Sequence, residues 1–367
     1  MLKVCGVTYT HTENYGSCLQ AYALQSAIEE ANQDKDVSYQ LVPMGKLLWR
    51  RKVKMSILQH IRRECVMLIR FHYRKSYVGF ERQYMRFVNC SSLEALPSLN
   101  NEMDAFVCGS DVIWNPIYNK GVNAFYLDFC NKYKFSYAAS FGGAQFDIAE
   151  SAKIREYLSQ FDSISVREEQ SLKTAQALTG KQISVMVDPV LLLRKEKWNA
   201  LAETVNTDGK YILLYSIKKQ PTIEAFVEKL KEDTGLKVIV SAGNVKTALQ
   251  YRMLRVHSPQ KWLQLIRDAE YVVTNSFHGM VFSIIFHKRF FVPVMGDLEK
   301  GFNVRMYNLL SKVGLINRMF NNLPFEIDLS EINYIEVDRV VEELRTEAFK
   351  YLKTNIEAAY RRKIISE

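Results

Sequence analysis

The stretch Val272-Val273-Thr274-Asn275-Ser276-Phe277-His278-Gly279-Met280-Val281-Phe282-Ser283 decides how the rest of the chain is read. Its β-branched start, Tyr271–Thr274, predicts a short buried strand. The strand stops at Asn275, and an apolar helix is predicted from about Gly279. His278 falls at the amino end of that helix, where N–H groups without intrahelical partners and the helix dipole draw an anion. The same dipole disfavours an imidazolium unless an anion is bound, so His278 is placed to exchange a proton as a ligand arrives. A lone histidine is more often structural than catalytic. Here the strand-to-helix turn with Ser276 favours a site, and His11, His60, His72, His257 and His287 have no such setting.

The same alternation extends in both directions. Downstream, Phe290–Val294 reads as a strand. Upstream lie a helix at Pro259–Asp268, a strand at Lys237–Ser241, a helix at Ile223–Glu232 and a strand at Tyr211–Ile217. An earlier series has strands at Val4–Tyr9, Val37–Pro43, Asp104–Cys108, Phe135–Ser140, Ser163–Val166 and Ile183–Val187. Its helices fall at Ser17–Glu30, at Glu150–Gln160 and after Arg167. Short apolar strands alternating with helices predict parallel α/β layers. Two such series, joined near 194–208, predict two Rossmann-like domains facing across a cleft. The expected units are residues 1–194, with a basic helical insertion at about 46–88, then 195–335, then a helical tail at 336–367 that crosses back. Ligands bind beyond the carboxyl ends of parallel strands, so the cleft is the expected site.

The other informative motifs also sit at strand exits. After the first strand come Asn14-Tyr15-Gly16-Ser17, where Gly16 permits a tight turn and Ser17 can cap the following helix and leave N–H groups for an anion. After the third come Gly109-Ser110-Asp111, where small residues can expose the Asp111 carboxylate to a sugar hydroxyl; an Asx turn before Trp114 is the competing role. The strand ending at Ser140 is followed by Gly142-Gly143, which allows close backbone approach. Arg167 is the first polar side chain after Ser163–Val166. Its guanidinium there suits a phosphate or carboxylate, and pairing with a neighbouring Glu is the competing role.

Composition bounds the function. The 367 residues are 48% hydrophobic and 24% charged, with 16 Gly and 8 Pro, which excludes disordered and low-complexity classes and allows two or three domains. The net charge of +9 is localised: Lys46–Arg86 holds twelve basic residues against Glu64 and Glu81, so the other 326 residues carry −1. A basic segment on a near-neutral body points to a local anionic surface and argues against nucleic acid. The six cysteines form no CxxC, and the start Met1-Leu2-Lys3-Val4-Cys5-Gly6-Val7 lacks the pattern of a secretory leader, so reduced thiols in a cytoplasmic protein are expected. No GxGxxG, Walker loop or GxSxG is present, and no His/Cys cluster has zinc spacing. Asp34-Lys35-Asp36 has the outline of a DxD but lies in a polar connection, so no metal is expected.

Taken together, six ordered motifs resemble the polysaccharide pyruvyl transferase family. They are Asn14-Tyr15-Gly16-Ser17 before Leu19-Gln20-Ala21-Tyr22-Ala23-Leu24, Gly109-Ser110-Asp111 before Trp114-Asn115-Pro116, Ser136-Tyr137-Ala138-Ala139-Ser140-Phe141-Gly142, Ser165-Val166-Arg167-Glu168, Val187-Asp188-Pro189-Val190 and Thr274-Asn275-Ser276-Phe277-His278-Gly279. The resemblance implies a GT-B-like fold and transfer of a pyruvyl group from phosphoenolpyruvate to a saccharide or lipid-linked glycan, often as a cyclic ketal, in cell-surface or exopolysaccharide biosynthesis. Phosphoenolpyruvate would be a co-substrate, with no further cofactor. By the same analogy Arg167 and His278 fall in the donor site, with Arg305 a looser match. The chemistry of a small trianion extends the expected donor set to Ser276, Gly279 and Lys288. His278 and Asp111 are the expected catalytic pair. Asn14, Tyr15, Gly16, Ser17, Ser110 and Ser140 are the expected acceptor or cleft loops.

Two rival readings remain at this stage. One is a nucleotide-sugar glycosyltransferase on the same scaffold, since fold alone does not choose a reaction. The other is a non-enzymatic protein binding a membrane surface or polyanion through Lys46–Arg86. That segment mixes Leu47, Leu48 and Trp49 with Arg50, Arg51, Lys52 and Lys54, as an interfacial helix on anionic lipid does. It is equally compatible with an enzyme lying on the inner face of the cytoplasmic membrane, or with a solvated helical insertion.

Overall fold

The computed structural model describes residues 1–50, 75–119, 121–242, 258–294, 303–321 and 327–366. Most of the basic segment, residues 51–74, lies outside them, and with it the expectation of an interfacial basic helix. Among the described residues no helix is long and apolar enough to cross a membrane.

The first sheet has the order β2-β1-β3-β4, all parallel, from β1 (Leu2–Val7), β2 (Val37–Leu41), β3 (Ala105–Cys108) and β4 (Tyr133–Ser136). Bridges Phe135–Ser163 and Ala139–Val166 extend it to the short pair β5 (Ser165–Val166) and β6 (Ser184–Val185). The second sheet has the order β11-β10-β9-β7-β8, again all parallel. Its strands are β7 (Tyr211–Ser216), β8 (Lys237–Ala242), β9 (Tyr271–Thr274), β10 (Arg289–Pro293) and β11 (Met319–Phe320). Every residue of β3, β7 and β9 is buried, as their unbroken apolar runs require of strands covered on both faces.

Between the sheets lies a shared core. Helix α1 (Tyr15–Ala31) is buried at every residue from Tyr15 to Ile28, because it is apolar nearly all round and is covered on every side. Tyr15 stacks on Trp262 of the second half, ring centroids 4.9 Å apart, and on Tyr77, 5.2 Å away. Residues 75–84 are helical, and the further helices, in chain order, are α2 (Met44–Arg50), α3 (Pro116–Asn119), α4 (Ile148–Ser159), α5 (Glu169–Thr179), α6 (Lys195–Leu201), α7 (Pro221–Thr234), α8 (Pro259–Arg267), α9 (Phe277–Ile285), α10 (Asn303–Lys312) and α11 (Tyr334–Ser366).

The last helix does cross back. Asp338 near its start meets His287 of the second half at 2.9 Å. Farther along, Tyr351 bonds Ser163 and the Ser136 carbonyl, and Lys363 reaches Asp104. The expected strands are present, with β11, α3, α6 and α10 added, and α2 stands at the start of the expected helical insertion. The second apolar helix begins at Phe277, two residues earlier than its pattern suggests, because Ser276 caps it.

Candidate active site

The exits of the two sheets meet at His278. Asn275 closes the turn after β9: its Oδ1 accepts the Ile217 N–H (2.9 Å) and its Nδ2 donates to the Lys218 carbonyl (2.7 Å), so the ends of β7 and β9 are held together. Ser276 Oγ accepts the Gly279 N–H at 3.3 Å, the usual N-cap bond. Gly279 itself packs on the strand, and a Cβ there would lie 2.5 Å from Thr274 Oγ1. His278, second residue of α9, projects across to the other half, where it lies on Gly16. A Cβ at Gly16 would stand 2.0 Å from His278 Nδ1, so only glycine lets the two helix starts approach this closely.

From the first half, four more groups converge. Asp188, at the start of the turn Pro189–Leu192, accepts the Val190 N–H through Oδ1 (3.2 Å). Its Oδ2 accepts Arg167 Nη1 at 2.8 Å and lies 3.4 Å from His278 Nε2. Arg167 also lies 3.7 Å from Asp111 Oδ1 and 3.6 Å from Glu168 Oε2. Glu168 Oε1 accepts the hydroxyls of Ser140 (2.7 Å) and Ser171. Asp111 sits at φ +76°, a left-handed conformation rare for a non-glycine residue and common at functional sites. Its Oδ2 accepts Ser17 Oγ (2.9 Å) and its Oδ1 the Val112 N–H (2.8 Å).

Phe277 completes the centre. The Arg167 guanidinium lies 4.8 Å and that of Arg305, on α10, 5.6 Å from its ring centroid, both within cation–π range. Arg167 and Arg305 are 7% and 8% exposed, so one aromatic ring carries two buried cations. Arg167, Asp188, Phe277, Arg305, Asn308 and Lys312 line a single pocket.

The electrostatics of the two arginines differ. Burial lowers Arg167, but Asp188, Asp111 and Glu168 outweigh it and raise it above the ordinary guanidinium value. Arg305 is pushed down, first by burial and then by repulsion from Arg167, with Asp111 and Glu168 compensating only in part. Burial alone would raise both aspartates. Arg167, His278 and Arg305 outweigh it at Asp111, and His278 and Arg167 at Asp188, so both carboxyls are held below the usual carboxylate range.

Of the expected site residues, His278, Asp111, Arg167, Arg305, Gly16 and Ser17 come together. Ser276 and Gly279 lie beside them but serve the helix start, their side chain and N–H bonded to each other. Asn14 is the α1 cap, accepting the Ser17 N–H (3.1 Å), and Tyr15 is buried in the aromatic stack. Ser110 donates to the Ala138 carbonyl (2.7 Å), so it and Ser140 are occupied inside the fold rather than facing an acceptor. Lys288 is a correction. It precedes β10, at the amino end of the second sheet and so away from the strand exits. Its Nζ donates to the Arg267 carbonyl at 2.8 Å, in a separate pocket with Glu270, Arg289 and Tyr334. Among the described residues no group of three His, Cys, Asp or Glu side chains is placed to hold a metal ion.

Two members of the cluster, Asp188 and Phe277, have no role in the sequence reading, and Glu168 enters it only as a partner for Arg167. Asp188 and Glu168 stand within motifs quoted above, and Phe277 reads as plain core. Val187-Asp188-Pro189, a carboxylate after a short strand, is the signal that points to Asp188.

Two solved structures share this architecture. UDP-N-acetylglucosamine 2-epimerase from Rickettsia bellii superposes with a TM-score of 0.51 at 12% identity, over 98% of this chain and 96% of its own. MnaA of S. aureus, in a co-structure with UDP, gives 0.50 at 10% identity, over 96% and 91%. At such identities the likeness is one of fold, and it makes this a GT-B-like protein with a buried charged centre at the meeting of two parallel sheets. A comparison with curated protein sequences gives no significant match. The sequence profile of the polysaccharide pyruvyl transferase family matches residues 14–292, which hold all six motifs, and the chain belongs to that family.

Proposed function

We propose that this centre moves the pyruvyl group of phosphoenolpyruvate onto hydroxyls of a saccharide or lipid-linked glycan, closing a cyclic ketal. The observation that carries the reading is the pair of buried guanidiniums on one Phe277 ring, where burial and the Arg167 charge hold Arg305 below its ordinary value. An anion beside Arg305 relieves both the burial and the repulsion from Arg167. Phosphoenolpyruvate supplies a phosphate and a carboxylate within one small molecule, matching two guanidiniums and the amino ends of α1 and α9.

In the chemistry this suggests, His278 delivers a proton to C3 of the enol, leaving an oxocarbenium-like C2. One acceptor hydroxyl attacks C2 and its proton recharges His278. Phosphate then leaves with the proton of the second hydroxyl as that oxygen closes the ring, so the two hydroxyl protons end on the methyl group and the phosphate. Asp111, held ionised by its cations, is a poor base. It suits orienting an acceptor hydroxyl by accepting its hydrogen bond. A membrane surface for the acceptor, and a place in exopolysaccharide or cell-surface synthesis, belong to the same proposal.

The test is mass spectrometry of candidate lipid-linked and free oligosaccharides incubated with enzyme and phosphoenolpyruvate. A mass gain matching a pyruvate ketal, with release of phosphate, is expected. Glycosyl transfer from UDP- or GDP-sugars with no pyruvylation would replace this reading by the glycosyltransferase one.

A further inference from the structure

The Asp188 carboxylate, 1% exposed, has partners on three separate segments. Oδ1 is fixed by the Val190 N–H, which orients the carboxyl group before any charged partner is considered. Oδ2 then accepts Arg167 Nη1 at 2.8 Å and lies 3.4 Å from His278 Nε2, an electrostatic contact outside hydrogen-bond geometry. On the opposite side the imidazole lies against Gly16, with Nδ1 the ring atom nearest to where a Cβ would be. The ring is thus clamped between a carboxylate and a backbone, with one nitrogen toward each.

An ionised carboxylate attracts an N–H and repels a nitrogen lone pair, so the ring nitrogen nearest to it is the one that carries the hydrogen. In the neutral imidazole the lone pair then falls on the other nitrogen. We infer that Asp188 is a positioning residue that holds the Nε2–H tautomer of His278, making Nδ1, on the Gly16 side, the nitrogen that gives and takes the proton. The inference rests on the reading of His278 as the proton donor. It adds which atom does the work and which residue sets it. Loss of the proton from Nε2 would turn a lone pair onto the Asp188 carboxylate, whereas loss from Nδ1 leaves that contact intact. Because one oxygen serves both partners, Asp188 also keeps His278 in a fixed relation to Arg167.

The experiment is a long-range proton–nitrogen correlation on the full chain labelled with ¹⁵N-histidine. His278 is identified by the signal missing in His278→Gln. In the neutral form the expected pattern is a protonated, pyrrole-type Nε2 and a pyridine-type Nδ1. A protonated Nδ1, or a mixture averaging both tautomers, overturns the inference. In Asp188→Asn the amide can still accept the Val190 N–H, and the preference for Nε2–H should be lost together with at least a tenfold fall in kcat. An unchanged tautomer in that variant also overturns the inference, and if the variant does not fold the wild-type spectrum decides. The spectrum needs no substrate. A chain with the expected tautomer but no pyruvylation would therefore refute the reaction while sustaining the role of Asp188.

Discussion

The two faces of the junction are built from opposite chemistry. The first half brings Asp111, Glu168 and Asp188 around Arg167, with Ser17 and Ser140 donating to those carboxylates. The second half brings His278, Phe277 and Arg305 and, among the described residues lining the pocket, no carboxylate. Each guanidinium reflects its side: the protein's own anions hold Arg167 above its ordinary value, and burial with the Arg167 charge holds Arg305 below it. The proposed binding of one anion and several hydroxyls would use this division. On the proposed reaction, carboxylates on one face order hydroxyl hydrogens and the guanidinium on the other receives the anion.

Removing the proposed proton donor should separate the faces most clearly. His278→Ala is expected to lower turnover by about 10²–10⁴-fold, the usual worth of acid–base assistance, with a melting temperature close to wild type. Phosphate release in the presence of acceptor and a thermal melt check both halves of that statement. Near-normal release would remove His278 from the chemistry.

A subtler route to the same group is Gly16→Ala, which adds a methyl from the first face into the ring on the second. It should displace His278, lower kcat at least tenfold and cost about 1–3 kcal/mol of stability, as overpacking does. Activity retained at wild-type level would mean that the imidazole position is not critical. Asp111→Asn, by contrast, should raise the acceptor KM several-fold and leave the phosphoenolpyruvate KM nearly unchanged. The reverse split would move Asp111 to the donor face.

Acid tests the carboxylate face as a whole. Asp188 and Asp111 are held below the ordinary carboxylate value in the folded chain. Their stabilisation is fully present above about pH 4, the unfolded value, and is lost as pH falls through the depressed folded values. Melting temperature should therefore drop below about pH 4, with Asp111→Asn showing a shallower fall. Equal slopes in the two proteins would contradict the assignment. Smallest of all, Lys288→Ala should leave pyruvyl transfer unchanged, since its ammonium group is bonded at the far end of the sheet.

Much of this was legible in the sequence because parallel strands place their exits on one side. A side chain just after a strand, such as Asp111, Arg167 or His278, is therefore near the others whatever its distance along the chain. The same logic explains the misplacement of Lys288. It is ten residues from His278, but α9 runs away from the exits and Lys288 starts the return strand. A hydroxyl at a strand exit can also turn inward, as those of Ser110 and Ser140 do, each on a partner 2.7 Å away. Asp188 carries only its place after a short strand, and Phe277 carries no local signal. One looks like a turn cap and the other like core, and both are so used as well as lining the pocket.

The division of labour between the faces is tested most directly by titrating phosphoenolpyruvate into wild type and Arg305→Ala while following thermal stability. Wild type should be stabilised, by about 2.7 kcal/mol at a hundred times Kd, and UDP-N-acetylglucosamine should have no such effect. The variant should bind phosphoenolpyruvate about 10–100-fold more weakly, as loss of a charge-assisted hydrogen bond implies. Equal stabilisation of wild type and variant, or stabilisation of wild type by the nucleotide sugar alone, would contradict the placement of the donor on the second face.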